Sequence, residues 1–249
     1  MATGPRRVAL VGIPLTSGRK PRLETLFLDA GGVLVFPNWV RVSETLRRHG
    51  VDVAPPALAA AEPRAKFEID GEMRVVATSD TQRRFRYLDL VLKYAGVRRS
   101  DATDEAVVEL EAYHGAHNLW EHVPADVEPA LERLAALDLR LVIVSNANGV
   151  LHACFDRIGL SRHFHCICDS FLEGVEKPDP RFFRIAMERS GADPSTTMHV
   201  GDLYHVDIVG ARNTGLRATL LDAADLYGGF DCARVRSLDA LVELLEEER

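Results

Sequence analysis

The sequence predicts an α/β fold: a parallel sheet with helices on both faces, plus an inserted α-helical cap domain. Three observations predict it. From residue 125 onward, apolar runs of strand length alternate with helical patterns, the rhythm of β-α units. Residues 38–122 break that rhythm, show no strand series and are dominated by helical periodicity. The predicted strands end on side chains of catalytic type, and open α/β sheets bind ligands beyond the carboxyl ends of their strands.

The elements follow in order. Residues 1–22 are expected to be a loose N-terminal extension: Arg6 and Arg7 precede a short apolar stretch as in a leader, but Gly12 and Pro14 interrupt it and no cleavage pattern follows convincingly. "FLDAGGVL" (27–34) is the first core strand, stopping on Asp29 where a tight turn begins, so the core comprises 23–37 and 123–249. Within the cap, 38–122, Phe85, Leu88, Val91, Leu92 and Ala95 share one helical face, and Gly96 is a natural stop. After re-entry, "LRLVIVSN" (139–146) is a strand ending in Ser145 and Asn146, followed by the helix "LHACFDRIGL". "HCICDS" is a strand, and "PRFFRIAMERSG" a helix with a glycine near its end. "TTMHVGD" is a strand ending on Asp202, "VDIVGARNTG" is helical, and "LRATLLD" and "SLDALVELLEEE" close the series as strand and amphipathic helix.

The 249 residues carry a formal net charge of −7. Five of the 30 basic residues and none of the 37 acidic ones lie in 1–22, leaving 25 basic against 37 acidic elsewhere, a net −12. That argues against general binding to nucleic acid or anionic membranes. No apolar run approaches the roughly 20 residues needed to span a bilayer, and a soluble, cytoplasmic protein is expected. Of the four cysteines, Cys166 and Cys168 stand with His163 and His165 in "HFHCIC". A zinc site would want a second, distant Cys/His pair, which is absent, so buried reduced thiols are expected at Cys154, Cys166, Cys168 and Cys232.

Collected along the chain, the strand-end groups are Asp29, Ser145 with Asn146, Lys177 in "GVEKPDP", and Asp202 with Asp207 in "VGDLYHVDIVGA". A carboxylate at the end of a strand suits a nucleophile or a metal ligand. Mg²⁺ takes hard oxygen ligands, which Asp29, Asp202 and a nearby backbone carbonyl supply. Lys177 would neutralise charge on a transferred anionic group, and Ser145 would donate to one of its oxygens.

These stretches resemble, in order, the four motifs of the haloacid dehalogenase superfamily of hydrolases: "FLDAGGVL", "VIVSNANG", "VEKPDP" and "VGDLYHVDIVGARNTG". The resemblance spans residues 23–221, with the cap where the family's first cap class sits, and implies a Rossmann-like core. It implies Asp29 as the nucleophile that forms a covalent aspartyl intermediate. It further implies Mg²⁺ held by Asp29, Asp202 and the carbonyl of Gly31, with Asp207 in support. Ser145, Asn146 and Lys177 would then bind a small, phosphorylated substrate, and the cap would close over it.

Gly31 departs from the pattern. Phosphatases of the superfamily carry there a second aspartate that protonates the leaving group, a step typically worth about 10²–10⁴-fold. Mg²⁺-dependent phosphoryl hydrolysis is the first reading, favoured by the retained Asp202. A 2-haloacid dehalogenase or phosphonate hydrolase is the second; the phosphonate chemistry would require a cap lysine, Lys66 or Lys93. A non-catalytic member that binds a ligand or partner is the third. An aspartate restored at 31 is expected to favour alkyl phosphates. Among cap residues, Arg74, Arg83, Arg84, Arg86, Arg98 and Arg99 read as a solvated face. Trp120 reads as hinge packing, and one of His114, His117 and His122 as the best substitute acid.

Overall fold

The computed structural model describes residues 21–72 and 80–248, the side chains of 80–85 excepted. The expected extension therefore lies almost wholly outside the described residues, as do Arg74 and the side chains of Arg83, Arg84 and Phe85. Strand β1 (Thr25–Leu28) leads to Asp29, and the two-residue β2 (Phe36–Pro37) precedes four helices: α1 (Trp39–Arg48), α2 (Pro55–Glu72), α3 (Asp80–Tyr94) and α4 (Asp101–His117). The short β3 (Trp120–His122) returns the chain to α5 (Val127–Ala136), β4 (Arg140–Ser145), α6 (Leu151–Arg157), β5 (Cys166–Asp169), α7 (Ser170–Glu173) and α8 (Pro180–Ser190). Then come β6 (Thr197–Gly201), a π-helical turn (Tyr204–Ile208), α9 (Val209–Arg212), β7 (Arg217–Leu221), β8 (Ala233–Val235) and α10 (Leu238–Glu247).

Six strands form one sheet in the order β5-β4-β1-β6-β7-β8, every pair parallel. Side chains alternate across a strand, so a sheet covered on both faces needs apolar residues at both parities. On β1, Leu26 and Leu28 point into a core shared with Leu131, Leu134, Phe155 and Leu241, whereas Phe27 points the other way, to Phe182, Phe183 and Ala211. Local signals agree with the helices: Asp179 caps α8 ahead of Pro180, and left-handed Gly191 ends it. Ser237 caps α10, and Ser100 with Thr103 forms a capping box at α4.

The four-helix insertion has its own apolar cluster, which includes Trp39, Leu46, Leu58, Leu90, Val91 and Leu110. Leu88, Val91 and Leu92 are buried on α3 as their spacing predicts, and Gly96 (φ 81°) follows the helix. Two features lay beyond sequence reading. β8 has only one buried residue of three, and β2 pairs antiparallel with β3 through Phe36–His122 and Pro37–Trp120, joining the two ends of the insertion. Glu121 secures that junction: its carboxylate accepts from Asn38 and Arg41 of the outgoing chain, Tyr113 of α4 and Arg157 of α6.

The four cysteines are unbonded; Cys154 and Cys168 are buried as expected, whereas Cys166 and Cys232 are only half-buried. Among the described residues, no helix is long and apolar enough to cross a membrane. Phe183 is fully buried beneath the sheet and meets the ring of His199 edge-on at 5.0 Å. Phe183→Ala is expected to cost about 3–5 kcal/mol of stability, read as a lowered urea midpoint with an unchanged m-value.

Candidate active site

Three carboxylates converge beyond the carboxyl ends of neighbouring strands. Asp29 follows β1, Asp202 follows β6, and Asp207 lies in the π-helical turn; oxygens of all three come within 4.8 Å of one another. Lys177, from the loop between α7 and α8, reaches between two of them: its Nζ is 2.7 Å from Asp207 Oδ1 and 2.9 Å from Asp29 Oδ1. The lysine side chain is 1% exposed, and Asp207 not at all.

Asp207 is fully employed. Oδ1 accepts from Lys177 and from Nε2 of His199, a buried residue on β6, and Oδ2 accepts from the Leu203 N–H at 3.0 Å. Burial would raise its pKa, but Lys177 and His199 hold it well below the usual carboxylate range. Asp29 goes the other way: burial raises its pKa against the opposing pull of the Lys177 ammonium. Although Lys177 is close, the buried Asp29 Oδ1 has no aligned hydrogen bond.

Ser145 is buried at the end of β4 and lines the same cavity. Asn146 accepts from the Lys177 N–H through Oδ1 (2.7 Å) and donates through Nδ2 to the Lys177 carbonyl (2.9 Å). Its amide thus clamps the backbone that carries the lysine, and Asn146 also lines the cavity where sequence reading expected a substrate contact.

The insertion contributes what the motifs did not announce. Lys66 of α2 donates to Asp202 Oδ2 at 2.7 Å and stands 3.5 Å from Glu62. Burial pushes the pKa of Asp202 up to about 7, with Asp29 and Asp207 adding to that and Lys66 opposing it. One turn further along α2, the buried Asp70 accepts from the backbone N–H groups of Tyr204 and His205. Gly32 is what permits this approach. At φ 76° it suits glycine, and a Cβ there would lie 1.9 Å from Asp202 Oδ2 and 3.0 Å from Lys66 Nζ.

Another wall of the cavity comes mostly from the insertion and its return to the core: Ile69, Tyr87, His114, Asn118 and Trp120, with Val35. Of the three histidines weighed as substitute acids, His114 lines the cavity, while His117 and His122 are exposed. Nδ1 of His114 accepts the Leu119 N–H at 3.1 Å. The ring in this geometry is neutral with its proton on Nε2, and losing that proton would leave an imidazolate. His114 is therefore a hydrogen-bond donor, not the acid that was sought. Trp120 does more than hinge packing: its indole lies against Gly31. Arg86, Arg98 and Arg99 are exposed and away from the cavity, in accord with a solvated face.

No sequence signal marked Lys66 as a partner of Asp202, since nothing within α2 sets it apart from an ordinary helix lysine. His199 and Asp70 also escaped notice: His199 reads as an ordinary residue of a buried strand, and Asp70 acts on backbone more than a hundred residues away.

A family model for haloacid dehalogenase-like hydrolases matches residues 23–215. Haloacid dehalogenase-like hydrolase domain-containing protein 3 of Bos taurus is 29% identical over 189 residues, 74% of this chain and 75% of that protein. A glyceraldehyde 3-phosphate phosphatase of Methanopyrus kandleri is 32% identical over 132 residues, 53% of this chain and 56% of that one. The crystal structure of a 2-haloacid dehalogenase from Pseudomonas syringae pv. tomato superimposes with a TM-score of 0.57 at 26% identity, covering 91% of this chain and 100% of that one.

Removing one partner of a buried ion pair leaves the other charge uncompensated. Asp207→Ala is expected to lower the unfolding free energy by about 3–5 kcal/mol, and the double variant Lys177→Met/Asp207→Leu to recover part of that loss, both measured by urea denaturation.

Proposed function

The chain belongs to the haloacid dehalogenase-like hydrolases, and from that premise we propose that it is a Mg²⁺-dependent phosphoryl hydrolase working through a covalent intermediate on Asp29. The observation that carries this reading is the buried Lys177 bridging Asp29 and Asp207 beside a third carboxylate, Asp202. Such an array aims the nucleophile, balances its charge and leaves an oxygen-rich face for a divalent cation. Asp29 attacks phosphorus, while Lys177 and Ser145 bind the equatorial oxygens. Asn146 and Asp207 act through Lys177, which narrows the substrate-binding set to Ser145 and Lys177.

The donor set fits Mg²⁺. Carboxylates of Asp29 and Asp202 with the Gly31 carbonyl would hold it, and Asp207, whose oxygens already serve Lys177, His199 and Leu203, would support it from behind. When bound, Mg²⁺ supplies further neutralisation of the transferred group. Residues 38–122 serve in this reading as the cap over the core of 23–37 and 123–249; their separate apolar cluster supports that division. The substrate is a small phosphorylated molecule.

Two observations weigh on the alternatives. The retained Asp202, set beside Asp29, is a ligand a metal-free dehalogenase has no use for. Phosphonate cleavage through a lysine Schiff base would need a neutral amine, whereas Lys66 is ion-paired to Asp202 and Glu62 and its pKa is raised: burial would lower it, but Asp202 and Glu62 prevail.

Purified protein is expected to hydrolyse an aryl phosphate in the presence of Mg²⁺, and Asp29→Asn to lose that turnover while still folding; equal turnover by the variant would overturn the nucleophile assignment. A cation and Lys66 compete for Asp202. Lys66→Met is therefore expected to tighten Mg²⁺ binding about tenfold, equivalent to ~1.4 kcal/mol, as measured by calorimetry without substrate.

A further inference from the structure

Gly31 is the one motif position whose side chain is missing, and its surroundings explain more than its lost acid. Its backbone is ordinary, so an aspartate would fit the conformation. The tight neighbour is Trp120: a Cβ on Gly31 would lie 3.3 Å from indole Cδ1, so the ring would have to yield by a few tenths of an ångström, and 3.4 Å from Nε1, in ordinary contact.

That indole is held in place. The Trp120 N–H donates to Asn118 Oδ1, and β3 pairs the residue with Pro37. Its ring meets Tyr87 at 5.3 Å and His114 edge-on at 5.4 Å. Next to it, Glu121 is fixed by four donors from the core and the insertion.

Among the described residues, the protonated groups that line this side of the cavity are already engaged. His114 is a neutral donor by its bond to the Leu119 N–H, and the Tyr87 hydroxyl already donates to Glu62. Lys177 is tied to Asp207, and Lys66, paired with Asp202 and Glu62, is held as a charged ammonium of raised pKa. What this side of the cavity does offer is flat aromatic surface in Trp120 and Tyr87, with apolar Ile69 and Val35.

We propose that Gly31 and Trp120 form a specificity pair: the indole occupies the place of the general acid, selecting aryl phosphates, whose weakly basic leaving oxygen departs without a proton and whose ring stacks on the aromatic wall. This rests on the phosphoryl-transfer reading of Asp29. In the first step, the bond from the Asp29 carboxylate to phosphorus forms as the phosphorus–oxygen bond of the ester breaks, and the aryloxide leaves with the electron pair. In the second, water attacks phosphorus and the Asp29 carboxylate departs, giving inorganic phosphate; the proton released is taken up by the aryloxide in solvent. No oxidant or further reactant is required.

The test is a leaving-group series, from para-nitrophenyl phosphate through phenyl phosphates with electron-donating substituents to an alkyl phosphate, read as kcat/KM against leaving-group basicity with Mg²⁺ present. The wild-type protein is expected to fall steeply along the series, by at least ~10²-fold beyond a homologue that has the acid. With Trp120 in place, Gly31→Asp alone should leave the slope steep, contrary to the expectation from sequence that an aspartate there suffices; Gly31→Asp/Trp120→Ala should flatten it and raise alkyl phosphate turnover by about 10²-fold. Trp120→Ala alone should keep the slope while raising KM for aryl esters. A shallow wild-type slope, or a single Gly31→Asp variant as effective as the double, would overturn the pair while leaving Asp29 in its role. No turnover of any ester by wild-type protein would overturn both. The wild-type slope needs no variant, so a misfolded mutant does not blunt the test.

Discussion

A lysine ammonium with 1% of its side chain exposed is the constraint around which this site is built. Desolvating such a charge costs several kcal/mol unless carboxylates approach closely and in good geometry. Asp207 meets that demand because it is itself buried and has its remaining acceptor capacity met by His199 and the Leu203 N–H. Lys177 can then lend its second contact to Asp29, which is held at the end of β1 by the N–H bond from Asp29 to the Val200 carbonyl. The parallel pairing of β1 with β4 and β6 makes three strand ends adjacent, so one cation serves groups drawn from positions almost 180 residues apart.

The insertion is coupled to this array by charge as well as by packing. Lys66 and Asp70 lie one turn apart on α2 and engage the same stretch of core, one through Asp202 and the other through the backbone of Tyr204 and His205. Any ligand that claims Asp202 must alter the first of these contacts, so the state of the cation site and the seating of α2 are energetically linked. Gly32, which leaves the space for Asp202 and Lys66 to meet, is part of that linkage.

The sheet was legible because its buried strands are short apolar runs ending on polar residues, and each of Asp29, Ser145 and Asp202 stands at such an end. The β8 edge and the β2–β3 pair were not: strands of two or three residues with mixed exposure carry no periodicity to read. In the site, Asp29, Ser145 and Asp202 could be found from their positions after strands, whereas Lys177 lies in the loop between α7 and α8 and was legible only from its motif. His199, Lys66 and Asp70 could not, and for some residues that were found the task was misjudged. Asn146 looks like a ligand until its amide is seen holding Lys177, and Trp120 looks like hinge packing until the indole is seen against Gly31. Helix α2 gives no sign in sequence of which face meets the core, because that face is chosen by contacts more than a hundred residues away.

A nucleophilic Asp29 must become phosphorylated during turnover. Protein mixed with an aryl phosphate and Mg²⁺, quenched in acid within the first turnover and mapped by peptide mass spectrometry, tests this directly. A phosphoryl adduct confined to the peptide containing Asp29, labile to hydroxylamine as an acyl phosphate is, is the predicted result. Steady turnover with no such adduct, or with the adduct on another residue, would contradict it.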